Sequence, residues 1–270
     1  GLAFGLLAAL TVLIPGLCVR NKPVVNDAPS KMPPARAILS TLKNRPFTKY
    51  LTISMIMSTA FTLVTTMLPY YLIYQLDMAS MQSIVMVLML GTLALFLIPC
   101  AKVASRLGKA KTYALGLAIA CTALVASFFL PYGQGQAIYI IAFVAGAGFS
   151  SQWVCPHSMM PDVIEYDELA TGERREGIYY GMNGMAGKIT GALGSAICGW
   201  GLKLSGYAEG AKQTAGALFG IRTMFALLPA LLLFVCVPML IRYPITRESH
   251  AKVTKELAAR RAAQEKEDAV

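Results

Sequence analysis

The sequence predicts an all-α membrane protein with about seven transmembrane helices. Hydrophobic residues make up 56% of the 270 residues and charged residues only 14%, whereas a soluble domain has roughly 45–50% apolar and 25% charged residues. The mean hydropathy is +0.57. The apolar residues also lie in runs that reach the length of about 20 residues needed to cross a bilayer core. These observations exclude an ordinary soluble domain.

Seven apolar runs give the predicted spans. They are residues 1–19, 48–74, 79–100, 112–131, 136–156, 178–202 and 215–241. The first run lacks a Met start, a basic leader and a clear cleavage site, so it is interpreted as a span and not as a signal peptide. Because the chain starts at Gly1 inside such a run, we expect a fragment of a longer protein. The six cysteines show no CxxC pair and no metal-binding spacing, which is typical of small packing residues.

The distribution of basic residues predicts the orientation in the membrane. Lys and Arg gather at residues 20–49, 101–111 and after 242, while the connections near 75–77 and 131–136 carry none. Positive loops lie on the cytoplasmic side, so we expect the N-terminus outside, the C-terminus in the cytoplasm and an odd number of spans. The anionic bilayer surface accounts for the net charge of +10, and we expect no nucleic-acid partner.

Two polar segments flank the predicted bundle. In the loop 20–47, residues 35–43 form either a short helix on the inner membrane surface or a solvated linker, and both interpretations stay open. In the tail 242–270, the favourable i,i+4 pairs Glu248–Lys252 and Glu256–Arg260 indicate a solvated cytoplasmic helix. No chemistry is assigned to this tail.

Lys188 is the clearest charge inside a predicted span. It lies ten residues into the sixth run, which is about 15 Å deep at 1.5 Å per residue. Charges at this depth are expensive and usually functional. One interpretation is that Lys188 pairs with a carboxylate and responds to an ion or substrate. The alternative is a static buried ion pair without a role in transport. Beside it, small residues recur at every fourth position and predict close packing of another helix: Gly187, Gly191, Ser195 and Gly199.

Two groups of polar residues are candidates for a solute pathway. Ser58, Thr62 and Thr65 share one face of the second span, although such side chains also bond back to their own helix. Gln152 and Trp153 lie near the inner end of the fifth span, where an amide and an aromatic ring suit a sugar. The alternative for Trp153 is a residue of the interfacial aromatic belt.

A mixed-charge segment between the fifth and sixth spans is the candidate cytoplasmic gate. We interpret residues 162–176 as a loop, and its charged residues include Asp167 and Glu173. The candidate gate residues within it are Asp162, Glu165, Glu168, Arg174, Arg175 and Glu176. Exposed ion pairs contribute only about 0–1 kcal/mol each, which suits a gate that must reverse; ordinary solvated loop charges are the alternative. His157 and His250 lack partners for a catalytic triad or a metal site, and no phosphate-binding or dinucleotide-binding loop occurs. We therefore do not expect an enzyme.

One segment resembles a known transporter family. The stretch MMPDVIEYDELATGERREGIYYGMNGMAGK at 159–188 resembles the glycoside–pentoside–hexuronide:cation symporters, the melibiose permease-like family of the major facilitator superfamily. The resemblance includes the acid pair Asp162 and Glu165, the segment 171–177 and a lysine at position 188. The run KNRPF at 43–47 is similar to the family's central loop. The run RLGK at 106–109 is similar to a short inner loop of the superfamily, with Ser105 where many members have an acid.

The resemblance implies a fold of twelve helices in two six-helix bundles that alternate access to a midplane site. Residues 1–19 would be helix six of the complete protein, 20–47 its cytoplasmic central loop, 48–241 the C-terminal six-helix bundle and 242–270 a cytoplasmic tail. Such a protein lies in the inner (plasma) membrane and takes up a sugar or glycoside.

In this family sodium or protons drive uptake, and the lysine matching Lys188 lies near a cation site. The carboxylates of that site belong to the N-terminal bundle of the same protein, so the coupling cation would be bound mainly there, and no other cofactor is implied. Two alternatives remain. One is a carrier of lysolipid or another organic solute on the same fold, and the other is a stand-alone seven-helix receptor or scaffold.

Overall fold

The computed structural model describes residues 2–18, 34–133 and 135–267, and the regular structure in these ranges is helical. The chain divides into two units, residues 1–31 and 32–270. The first contains helix α1 (Leu2–Cys18). Most of the predicted central loop, from residue 19 to 33, lies outside the described residues.

The second unit contains the remaining helices. They are α2 (Pro34–Lys43), α3 (Arg45–Tyr70), α4 (Gln82–Leu95), α5 (Leu97–Leu107), α6 (Lys109–Phe128), α7 (Ala137–Thr171), α8 (Glu176–Leu204), α9 (Ala215–Arg222), α10 (Leu228–Ile241) and α11 (Arg247–Glu267). A π-helical turn, Tyr71–Gln75, extends α3, and a second one, Thr223–Leu227, joins α9 to α10.

Five of the seven predicted spans coincide with helices that are long and apolar enough to cross a membrane. Four are continuous: Arg45–Gln75, Lys109–Phe128, Ala137–Thr171 and Ala215–Ile241; the fifth is the bent pair Ala79–Leu95 and Leu97–Leu107. The other two predicted spans correspond to α1 and α8. Helix α1 has 17 residues within the described part of the chain. Helix α8 has 29 residues, but its glycines and Lys188 make it less apolar.

The third predicted span differs from the structure. Residues 79–100 were expected to form one helix, but the chain bends by 41° between α4 and α5 and stays helical to Leu107. Pro99 explains the break, because it has no N–H to donate to the carbonyl of Leu95. Proline also lies next to both π-helical turns, as Pro69 before the first and Pro229 after the second, where a π-bulge accommodates a missing ladder bond.

The sequence predicted a loop at residues 162–176, and this prediction is wrong for residues 162–171. Helix α7 has 35 residues and continues to Thr171, where Gly172 ends it with a left-handed φ of 74° and donates its N–H to the carbonyl of Glu168 at 2.8 Å. The acidic residues are not helix breakers, and Val163 and Ile164 between them are buried, so the helix gains packing by continuing. The charged side chains therefore project from a rigid helix.

Helices α6 and α7 are in close backbone contact. A methyl group on Gly148 would lie 2.6 Å from the Ala120 backbone nitrogen and 2.7 Å from the Gly116 carbonyl oxygen. Gly116 faces Ser151 in the same way. Small residues at these positions let the two backbones approach, as is typical of membrane helices.

Gly148→Ala is expected to destabilise the bundle by about 1–3 kcal/mol, because its new methyl group would meet backbone atoms that cannot move aside. The measurement is the thermal unfolding midpoint in detergent. The matched control is Gly91→Ala on α4, where a methyl group would meet nothing within 4 Å; alanine there is not expected to lower stability. Equal midpoints for both variants would contradict the close-contact interpretation.

Candidate functional site

Lys188 lies on the exposed side of α8. The opposite side of the helix packs into the bundle through residues four apart, including Met182, Ala186, Thr190 and Gly194. Lys188 makes no ion pair with any residue that the structure describes. Its partner therefore stays a prediction.

The small-residue stripe predicted on α8 faces the same open side. Methyl groups built on Gly187, Gly191 and Gly199 would meet nothing within 4 Å, and Ser195 is exposed. The contact of α8 with α3 instead uses Gly194, where a methyl group would lie 2.9 Å from the Thr62 side chain. Within the described part of the second unit, this side of α8 therefore has no helix packed against it; its small residues are Gly187, Gly191, Ser195 and Gly199.

The predicted polar stripe of α3 bonds to its own helix. Thr62 donates its hydroxyl to the Ser58 carbonyl at 2.9 Å, and Thr65 donates to the Phe61 carbonyl at 2.9 Å. All three hydroxyl residues of the stripe are half-buried. The hydroxyls of Thr62 and Thr65 are thus satisfied as donors and retain lone pairs that can accept a hydrogen bond.

The structure separates the roles of Gln152 and Trp153. Gln152 is half-buried, and its Oε1 accepts a hydrogen bond from the Tyr113 hydroxyl. Trp153 is 52% exposed, and its ring is parallel to that of His157, with 6.5 Å between ring centroids. The pair presents a flat aromatic surface outside the bundle core.

The predicted gate residues fall into three separate clusters. In the first, Lys109 of α6 donates to both carboxylate oxygens of Asp162 at 2.7 and 2.8 Å and to the Ser158 carbonyl at 2.7 Å. His250 of α11 lies 3.2 Å from Asp162 and 2.9 Å from Glu165. Two acids of α7 thus contact one side chain from the start of α6 and one from the tail helix α11.

The sequence suggested a solvated helix for the tail, but α11 packs against α7. Val253 and Leu257 are buried, and Arg260 donates to the Leu169 carbonyl of α7 at 3.0 Å. The predicted pair Glu256–Arg260 is present at 3.3 Å. The tail helix is docked along the charged end of α7.

His250→Ala is expected to loosen this docking and to raise tryptic cleavage at Lys252 and Lys255 about fivefold. This corresponds to about 1 kcal/mol for the lost hydrogen bond to Glu165 and the lost contact with Asp162. The measurement is the initial rate of cleavage under native conditions. Glu248→Ala on the exposed side of the same helix is the control and should leave the rate unchanged; equal rates for both variants would argue against a latch at His250.

The second cluster is a buried ion pair. Arg175 donates from Nη2 and Nε to one carboxylate oxygen of Asp167, at 2.6 and 3.1 Å, and from Nη1 to the Ser40 hydroxyl at 2.7 Å. Only 5% of each of these two charged residues is exposed. The pair ties α2 and the start of α8 to the end of α7. Asp167 was within the predicted segment but was not assigned a role.

The third cluster is exposed. Arg174 donates from Nε to Glu176 at 2.7 Å and lies 3.5 Å from Glu168. Partial burial works against the charged form, but the hydrogen bond to Glu176 and the charge of Glu168 outweigh it and raise the pKa of the Arg174 guanidinium. Exposed pairs of this kind are weak and exchange readily.

Arg222 is a second charge inside a span, and it was not identified from the sequence. Arg222 lies within the segment Ala215–Ile241, donates to the Phe128 carbonyl and lies 5.0 Å from the centroid of the Phe128 ring. Its Nε is buried without a hydrogen-bond partner among the described residues. The signal that finds it is the same one that identified Lys188, a charge inside an apolar run.

The chain matches the family model described as MFS/sugar transport protein over residues 1–247. It is 27% identical over 258 residues to the uncharacterized symporter YjmB of Bacillus subtilis (strain 168), which covers 94% of this chain and 56% of that protein. It is 31% identical over 236 residues to the uncharacterized symporter sll1374 of Synechocystis, covering 85% and 43%.

A shorter match is to the glucuronide carrier protein homolog of Escherichia coli (strain K12), with 26% identity over 161 residues, 60% of this chain and 35% of that protein. The chain spans about half the length of the curated relatives that match most of it.

Proposed function

Because the chain belongs to the glycoside–pentoside–hexuronide:cation symporter family of the major facilitator superfamily, and is thus part of a secondary transporter in a membrane, we propose that the complete protein moves a sugar or glycoside together with a cation. The glucuronide carrier homolog supports a sugar-like solute, and the two relatives called symporters support coupling. The direction is uptake into the cytoplasm across the inner membrane.

The observation that carries the proposal is the position of Lys188. It lies on an open, glycine-lined side of α8 and has no ion-pair partner among the described residues. A lysine at the centre of a membrane helix costs about 2.5–3.5 kcal/mol on insertion scales, so it needs a carboxylate nearby. We place that carboxylate on the N-terminal bundle, where a coupling cation, Na⁺ or H⁺, competes with Lys188 for it.

The three charged clusters support a gate on the cytoplasmic side. Asp162, Glu165, Glu168, Arg174 and Glu176 carry the pairs that break and reform as the two bundles rock. The Arg174–Glu176 pair is exposed, and its small energy allows reversal, whereas Asp162 is buried and pairs with a half-exposed Lys109. Arg175 is buried and therefore acts as the fixed anchor of this gate.

Solute uptake by proteoliposomes that contain the complete protein tests the proposal. A panel of radiolabelled glucosides, galactosides and glucuronides is offered under an inward Na⁺ gradient, an inward H⁺ gradient or no gradient. We expect accumulation of at least one sugar above its external concentration under one gradient only. Uptake at the same rate with and without either gradient would contradict symport. Inhibition of uptake by lysolipid but by none of the sugars would indicate a lysolipid carrier.

A further inference from the structure

Helix α2 is attached to the bundle by its polar side chains. Thr41 is fully buried, and its hydroxyl donates to the Ile38 carbonyl at 2.7 Å and contacts the Met182 sulfur at 2.9 Å. Ser40 accepts a hydrogen bond from Arg175 at 2.7 Å. A helix on the surface of a soluble protein buries its apolar side instead.

The described apolar side chains of α2, at residues 38, 39 and 42, are exposed. Ile38 is 42% exposed, Leu39 59% and Leu42 42%. These residues are at positions i, i+1 and i+4, so they form one continuous patch. A surface helix that exposes a large apolar side beside basic residues is typical of a helix lying in the membrane interface.

A cavity of about 430 Å³ lies beside this patch, between α2, the start of α3 and the ends of α7 and α8. Its lining includes Ser40, Lys43, Arg45, Tyr166, Thr171 and the Asp167–Arg175 pair. Arg175 neutralises Asp167. Lys43 and Arg45 are exposed and form no ion pair with a described residue, so their two positive charges are uncompensated within the lining.

The cavity adjoins the start of a candidate membrane-spanning segment, Arg45–Gln75. This segment has 31 residues, more than the roughly 20 that cross the hydrocarbon core, so we place Lys43 and Arg45 in the headgroup layer. A phosphodiester would meet two cations there, while the acyl chains of the same molecule extend along Ile38, Leu39 and Leu42. A soluble anion would use only the first of these features.

We propose that this cavity binds the headgroup of an anionic phospholipid, with α2 in the interface as its acyl-facing wall. Lys43 and Arg45 hold the phosphate, and the hydroxyls of Tyr166 and Thr171 are within the same lining for a polar headgroup. The proposal is independent of the transported solute. Its occupant is a lipid of the surrounding leaflet, because Ser40 and Lys43 of the cavity lining directly follow the exposed Leu39 and Leu42 in the same helix.

Native mass spectrometry of the delipidated complete protein in detergent tests the proposal, with phosphatidylglycerol and phosphatidylcholine as probes at equal concentration. We expect phosphatidylglycerol to bind more than tenfold more tightly. The variant K43Q/R45Q is expected to lose about 10- to 30-fold in phosphatidylglycerol affinity, in line with about 1 kcal/mol for each basic residue near an anionic surface. The control K203Q/K212Q changes two exposed lysines, one in the last turn of α8 and one in the connection to α9, and should keep the preference.

Two further arms identify the source of the anion and the role of α2. Glycerol 1-phosphate at the lipid concentration should not displace phosphatidylglycerol, and Leu39→Gln should weaken its binding severalfold without affecting the thermal unfolding midpoint. The proposal is overturned if the unchanged protein binds the two lipids equally, or if K43Q/R45Q keeps its full affinity for phosphatidylglycerol. It is also overturned if the control variant loses as much affinity as K43Q/R45Q. Displacement of the lipid by glycerol 1-phosphate, or an unchanged affinity in Leu39→Gln, would contradict it as well.

Discussion

Replacing Lys188 by leucine in the complete protein is expected to reduce cation-driven uptake about 100-fold while membrane insertion is retained. Lys188 lies on the open side of α8, away from the packed side, so leucine creates no clash within this bundle. The loss comes from the carboxylate that Lys188 would pair with, since an unpaired buried charge costs about 3–5 kcal/mol, and 1.4 kcal/mol corresponds to a factor of ten. The measurement is initial uptake into proteoliposomes under the coupling gradient.

A second readout separates coupling from a static ion pair. Exchange of labelled for unlabelled solute at equal cation concentrations requires the carrier to move but needs no gradient. A coupling role predicts that Lys188→Leu retains part of this exchange and loses its cation dependence, whereas a static pair predicts a lower unfolding midpoint with the cation dependence intact. Lys203→Leu, near the end of the same helix, is the control. Undiminished gradient-driven uptake in Lys188→Leu would remove Lys188 from the mechanism.

Arg175→Met is expected to destabilise the protein by about 3–5 kcal/mol, the largest effect on stability among the charged clusters. Both Arg175 and Asp167 are almost completely buried, so removal of the guanidinium leaves the Asp167 carboxylate buried without its partner. It also removes the donor to Ser40, which helps to hold α2. The measurement is the thermal unfolding midpoint in detergent.

The neighbouring residue supplies a matched control. Arg174→Met makes the same chemical change one residue earlier, in an exposed cluster where an ion pair contributes only about 0–1 kcal/mol. The double variant Asp167→Leu with Arg175→Met removes both buried charges and should recover most of the lost stability, because an apolar pair often replaces a buried ion pair without loss. Similar destabilisation in Arg174→Met and Arg175→Met would contradict the assignment of Arg175 as the anchor.

The residues of the candidate gate could be predicted from the sequence, but their pairing could not. The acidic and basic residues at 162–176 were identified from their charge pattern, but the pattern did not reveal which of them pair. The structure joins Asp162 to Lys109, which is 53 residues away, and Glu165 to His250, which is 85 residues away. His250 had been considered only for a catalytic triad or a metal site, and no partners for either were found.

The tail was interpreted too simply for a related reason. The i,i+4 charge pairs of 248–260 correctly indicated a helix, since such pairs depend only on helical spacing. They carry no information about the long-range contacts of Val253 and Leu257. Two apolar residues in an otherwise polar helix are a weak signal, and only their burial against α7 distinguishes a docked helix from a solvated one.

By itself the sequence determined that this protein is an all-α membrane protein of a transporter family. A backbone in hydrocarbon must satisfy its own hydrogen bonds, so a long apolar run is a helix whatever surrounds it. Only the tertiary structure decided that α7 continues through the supposed loop, that α2 turns its apolar side outward and that Arg175 is buried while Arg174 is exposed. Each of these depends on the angle at which one helix meets another, and that angle depends on contacts between residues far apart in the chain.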